Sequence, residues 1–167
     1  MAASLVWRLT GGSSNSDPNA SLGGVMSSNA LSATALNNLF DDVSASEASA
    51  GDTEYRAVDL YNAGDAAATS VTVWFSSQTS SSSTVASIGE DATNNPHASS
   101  ANLETIANES TAPASPVVTF SEATEGSPLS LDDIPAGQAA RLWIKRVVSA
   151  GAANTSSDSM TLRAQYA

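Results

Sequence analysis

Two runs of alternating side chains, Tyr55–Tyr61 and Ala139–Val148, constrain this chain more than any other feature of its sequence. Both place apolar groups at every second position, the period of a pleated sheet, and both are rich in strand-forming residues. They lie far apart in the chain. A Greek-key arrangement that packs them together buries the most apolar area available to the sequence.

Shorter runs keep the same rhythm. Ser4–Thr10 reads as a strand that stops at Gly11-Gly12. Thr69–Ser76 reads as another, with Val71, Val73 and Phe75 on one face and Thr72 and Trp74 on the other. It is expected either to pair with Tyr55–Tyr61 or to follow it as the next strand of a sandwich. Ser159–Tyr166 is a clear final strand; Thr84–Ile88, Leu103–Ala107 and Val117–Phe120 are weaker candidates, and Leu129–Leu131 leads into a turn. Asp17-Pro18-Asn19, Asn62–Asp65, Gly126-Ser127-Pro128 and Asp132–Gly137 carry turn chemistry. Residues 13–35 predict little regular structure, Ala35–Val43 fits a short helical turn or an irregular strand, and Ser44–Asp52 reads as a polar connector. About seven to nine short strands with no βαβ rhythm predict an all-β fold, an antiparallel β-sandwich of immunoglobulin-like or Greek-key type. Residues 1–50 form an extended N-terminal arm with one strand and irregular segments in this reading, and 51–167 form the sandwich.

Charge narrows the function. The net charge is −11, and Lys145 is the only lysine among six basic residues. Such a chain repels phosphate, so neither nucleic acid nor an anionic membrane surface is expected as a partner. Charged residues make up 14% of the chain, and 30 Ser and 30 Ala take their place, leaving a polar but weakly charged surface. The acidic excess fits either plain solubility or a salt-rich habitat. With no cysteine, disulfides and thiolate metal sites are excluded. No run approaches the roughly 18 apolar residues of a membrane span. The stretch Met1–Leu9 lacks the pattern of a secretion signal, so synthesis in the cytoplasm of the producing cell is expected.

Groups able to do chemistry are sparse. His97, the only histidine, lies in Asn94-Asn95-Pro96-His97-Ala98 and reads as a solvated loop residue. No Gly-x-Ser-x-Gly elbow marks a serine nucleophile, so no catalytic residue and no enzyme activity are expected. Asp41-Asp42, Glu90-Asp91 and Asp132-Asp133 offer oxygen ligands for Ca²⁺, but no calcium-loop spacing gathers them. Local turn bonding accounts for these acids better, and no metal or cofactor is expected. Aromatic residues make up only 5% of the chain, too few to line the cleft of a glycan hydrolase. Trp74 and Trp143 fall on strand faces opposite the apparent core. Each either packs under a loop or anchors a contact between subunits. Arg141, Lys145 and Arg146 gather near Trp143 as a positive patch that should seek an acidic surface. With Trp7 and Arg8 of the first strand they make up the candidate interface.

Several segments carry a family resemblance. They are Leu9–Gly24, Gly51–Asn62, Ile134-Pro135-Ala136-Gly137, Leu142–Arg146, Ser149–Ala153 and Thr161-Leu162-Arg163. Together they resemble virion structural proteins of tailed viruses, of the kind encoded in head and tail gene clusters. The resemblance implies an immunoglobulin-like or jelly-roll-like sandwich in the virion. It points to a capsid decoration or cement protein whose partners are the major capsid protein, other virion subunits and further copies of itself. The alternative it implies is a tail, fibre or head–tail component that binds a host-surface glycan or protein. An arm reaching over neighbouring subunits would make residues 2–30 dispensable for folding but necessary for joining the particle.

Overall fold

The two long runs become the two longest strands and hydrogen-bond to each other. The structure, a computed structural model, describes residues 2–167. Its strands are β1 (Leu5–Arg8), β2 (Asp52–Asn62), β3 (Thr72–Ser77), β4 (Thr84–Glu90), β5 (His97–Ala98), β6 (Leu129–Ser130), β7 (Gln138–Val148) and β8 (Thr161–Gln165). β2 and β7 pair antiparallel in continuous register from Asp52 opposite Val148 to Tyr61 opposite Ala139. β1 flanks β2, while β4 and the short β5 share the other side of β7. The second sheet runs β6-β3-β8. The fold is an all-β antiparallel sandwich. Thr69–Ser76, expected as a neighbour of Tyr55–Tyr61 or as the next strand of a sandwich, lies in the opposite sheet as β3.

The main core lies between the sheets. Val58, Leu60, Leu142 and Ile144 of the first sheet meet Val73 and Phe75 of the second, with Ile134 and Phe40 alongside. Burial of such side chains contributes about 1.5–3 kcal/mol each. The outer face of the first sheet is covered too: Ala57 and Trp143 pack there against Ile106 and Val118, with Leu22, Tyr55 and Phe120 around them. This second layer has almost no regular structure. Leu103–Ala107 and Val117–Phe120, expected as strands, make only single bridges, Thr105 with Gly23 and Val117 with Ala114.

The N-terminal segment is bound into this architecture. β1 is in register with β2 from Leu5 opposite Asn62 to Arg8 opposite Asp59. Residues 27–31 close its free edge, Leu31 N donating to Trp7 O at 2.9 Å and Ser27 N to Leu9 O at 2.8 Å. Leu9, Thr10, Ser21 and Ser27 are buried. Gly23 can sit here because it lacks a side chain: φ is +103°, and a Cβ would come within 3.1 Å of Thr105 Cα. Removal of residues 2–30 would strip β2 of its neighbour and take Leu22 from the outer layer, which sets the structure against the expectation that they are dispensable for folding.

The region 35–52 also differs from expectation. Leu36 and Asn37 have φ of 71° and 52°, which ends any helix there. The helix α1 forms instead over Ala45–Ala50, inside the segment read as a connector. Ser44 and Glu47 make a reciprocal capping box that starts it.

Candidate functional site

The charged residues singled out from the sequence converge on the first sheet, where pairing decides their roles. Directly opposite residues share a face. Arg8, Asp59 and Arg141 therefore form one row across β1, β2 and β7. Asp59 and Arg141 are fully buried. Arg141 Nε donates to Asp59 Oδ1 at 2.6 Å and Nη2 to Oδ2 at 3.0 Å, a two-pronged match of guanidinium and carboxylate. Arg141 Nη2 also donates to Gly24 O at 2.8 Å, tying the N-terminal segment down.

His97 reaches this row from β5, where it stands opposite Ala139. It is buried, not solvated as expected, because Asn95 binds the backbone of Arg141 at both ends of its amide and draws the 94–98 segment onto β7. Its Nε2 lies 3.2 Å from Asp59 Oδ1 and its Nδ1 3.0 Å from Ala98 O. Both ring nitrogens are therefore engaged, and neither is aimed at a serine hydroxyl as a nucleophile-activating base requires.

A second charge network closes the other end of β2 and β7. Glu54 and Arg146 are register partners. Arg146 Nε donates to Glu54 Oε2 at 2.5 Å and Nη1 to Asp41 O at 2.7 Å. Arg56, fully buried, donates to Glu109 Oε2 at 2.5 Å. The Phe40 ring lies against both guanidiniums, at 5.3 Å from Arg56 and 4.8 Å from Arg146. Burial holds the Glu54 carboxyl above its ordinary value, against the opposing pull of Arg146. Asp41, Glu54 and Glu109 bring carboxylate oxygens within 4.8 Å of one another, the arrangement that could hold a cation. Here two guanidiniums face those three carboxylates, and the cluster reads as an internal ion-pair network. Asp91 bonds within its own turn, accepting from Asn94 Nδ2 at 3.0 Å, whereas Asp133 accepts from Ser70 N of a distant segment at 3.0 Å.

The candidate interface residues divide accordingly. Trp143 and Trp74 are buried inside the chain, at 0% and 5% exposure, and Arg141 at 0%. Trp143 packs under the 103–120 segment, the first of its two expected alternatives. Trp74 is buried along with its neighbours Val73 and Phe75, so β3 is covered on both faces. These three offer no surface to a partner. Trp7 packs against the main core. Arg146 is engaged as described, and Lys145 Nζ sits 5.0 Å from the centre of the Phe120 ring. The positive patch expected around Trp143 is therefore dispersed into internal ties.

Arg8 is the exception. Its register partner Asp59 is occupied by Arg141, and Arg8 forms no ion pair with any described residue. Its guanidinium lies over the Tyr61 ring at 5.6 Å, and its Nε is buried without a hydrogen-bond partner. Both residues line an open cavity of about 410 Å³, bordered by Ser13, the 25–28 segment and Ser99-Ser100 beyond β5. No helix among the described residues is long and apolar enough to cross a membrane. Set against protein-family models, curated proteins and solved structures, the chain matches none of them.

Proposed function

We propose that this chain is a non-enzymatic structural subunit of a larger assembly, a virus particle according to the sequence resemblance, with a decorating or cementing position on the capsid shell. The observation that carries this reading is the internal use of its reactive groups. Asp59–Arg141, Glu54–Arg146 and Arg56–Glu109 tie together segments far apart in the chain, and His97 has both nitrogens engaged. Such ties favour one rigid shape, which suits a repeated building block better than a site that must reorganise around a substrate. β8 supports the same reading. As the terminal strand of its sheet it pairs on one side only, with Thr161, Arg163 and Gln165 exposed, which leaves backbone groups available to a neighbour. The particle, not the isolated domain, is the functional unit in this reading, and many modest contacts add through repeated copies.

The test is copy number. Particles purified from the source cells and quantified by mass spectrometry should contain this chain at a fixed, high ratio to the shell protein. A handful of copies would move it to a tail or portal position. Its absence from every sedimenting particle would overturn the assembly role. The second reading, a tail or fibre component that binds a host-surface glycan or protein, is favoured by one observation, the hydroxyl-lined cavity at Arg8.

A further inference from the structure

We propose that the cavity at Arg8 is a binding site for a small hydroxylated carboxylate, a sugar acid of monosaccharide size. The inference is independent of the assembly role: it concerns a ligand that the isolated chain binds.

The cation comes first. Among the described residues two arginines lack a carboxylate partner, Arg163 on the exposed strand β8 and the half-buried Arg8. Arg8 is in that state for a structural reason: both oxygens of the carboxylate opposite it are held by Arg141, and one also faces His97. The planar guanidinium fork matches a carboxylate in two-pronged geometry.

The walls define the rest of the ligand. Ser13, Ser28, Ser99 and Ser100 line the cavity, and none of their hydroxyls bonds another described residue. Serine hydroxyls both donate and accept, which suits a ligand carrying several hydroxyls. Val25 and Met26 supply an apolar wall for the C–H face of a sugar ring. Tyr61 holds the guanidinium in place by stacking, so Arg8 is oriented before a ligand arrives. The volume, about 410 Å³, falls in the range of small-molecule sites. Ser28 and Ser100 are exposed, so a ligand can enter from solvent or as the end of a longer chain.

The test is calorimetric titration of the full chain with glucuronate, glucose and inorganic phosphate. Glucuronate should bind about ten-fold or more tightly than glucose, a preference that R8Q should abolish. Phosphate should bind more weakly than glucuronate. Equal affinity for glucuronate and glucose, phosphate binding as tight as glucuronate, or full affinity in R8Q would each overturn the proposal. Should R8Q fail to fold, amide shifts of the wild-type chain decide: they should cluster at residues 8, 25–28 and 99–100 on glucuronate addition, and shifts elsewhere or none would overturn it. A uronate-terminated disaccharide separates the sources. Affinity equal to glucuronate assigns the end of a glycan, and its exclusion beside tight glucuronate binding assigns the free acid.

Discussion

Arg8 and Asp59 stand directly opposite each other across the first strand pair, yet they form no ion pair, because Arg141 on the far side of Asp59 holds both carboxylate oxygens. The two-pronged fork of Arg141 takes both oxygens, and His97 Nε2 faces one of them as well. The expected consequence is a sharp asymmetry between the two arginines. Arg141→Leu should destabilise the fold by about 3–5 kcal/mol, since it leaves Asp59 buried without its charge partner. Adding Asp59→Asn should recover part of that loss. Urea denaturation measures both; a loss for Arg141→Leu within the about 0–1 kcal/mol of a surface pair would contradict the assignment.

Trp143 fills the outer layer through its ring alone, since its indole Nε1 is buried without a hydrogen-bond partner. Trp143→Ala should therefore cost about 3–5 kcal/mol, whereas Trp143→Phe, which loses volume but no hydrogen bond, should cost about 1–2 kcal/mol. Comparable losses for both, read from denaturation midpoints, would show that the N–H matters.

Gly89 leaves no room for a side chain, because a Cβ would meet Val118 and come within 2.6 Å of Thr119 O. Gly89→Ala should push the 118–119 segment off β4 and cost about 1–3 kcal/mol. Faster amide hydrogen exchange at Thr119 and Phe120 is the local signature, and unchanged exchange would count against this packing.

Glu90 gives a pH dependence. Burial raises its carboxyl above the ordinary 4.5, with repulsion from Asp132 and Asp91 adding to the rise against the bond from Asn95. A raised carboxyl value means that its stabilising contribution is complete below pH 4.5 and is lost as pH rises through the folded-state value. Glu90→Gln should melt higher than the wild type at neutral pH, and the gap should close as pH falls toward 4.5. A gap that widens on acidification in thermal melts would reverse the sign and refute the account.

Truncation tests the N-terminal segment. Deleting residues 2–31 removes β1, its edge cover and the Gly24 carbonyl that Arg141 binds. The shortened chain is expected to lose its cooperative thermal transition in circular dichroism. A cooperative, wild-type-like melt would restore the picture of a detachable arm.

Much of the fold was legible in the residues. Alternation marked β2, β3, β7 and β8 to within a few positions, because the period of a strand is written locally. The helix at Ala45–Ala50 lies in a segment that reads as a polar connector, since its one local signal, Ser44 and Glu47 at capping-box spacing, is brief beside the helical apolar spacing of Leu36–Val43. His97 and Trp143 were harder. A strand with two different faces implies that one of them meets water, and nothing local says that irregular segments cover the other.

The sequence by itself determined the all-β class, the absence of disulfides and the acidic net charge. These follow from periodicity, composition and charge, which need no partner in space. Only the tertiary structure decided that β7 lies between β2 and β4, that Asp59 belongs to Arg141, and that Arg8 is left over. Register across strands far apart in the chain is set by the packing of the whole molecule, and a shift of one residue would turn each of these side chains to the other face.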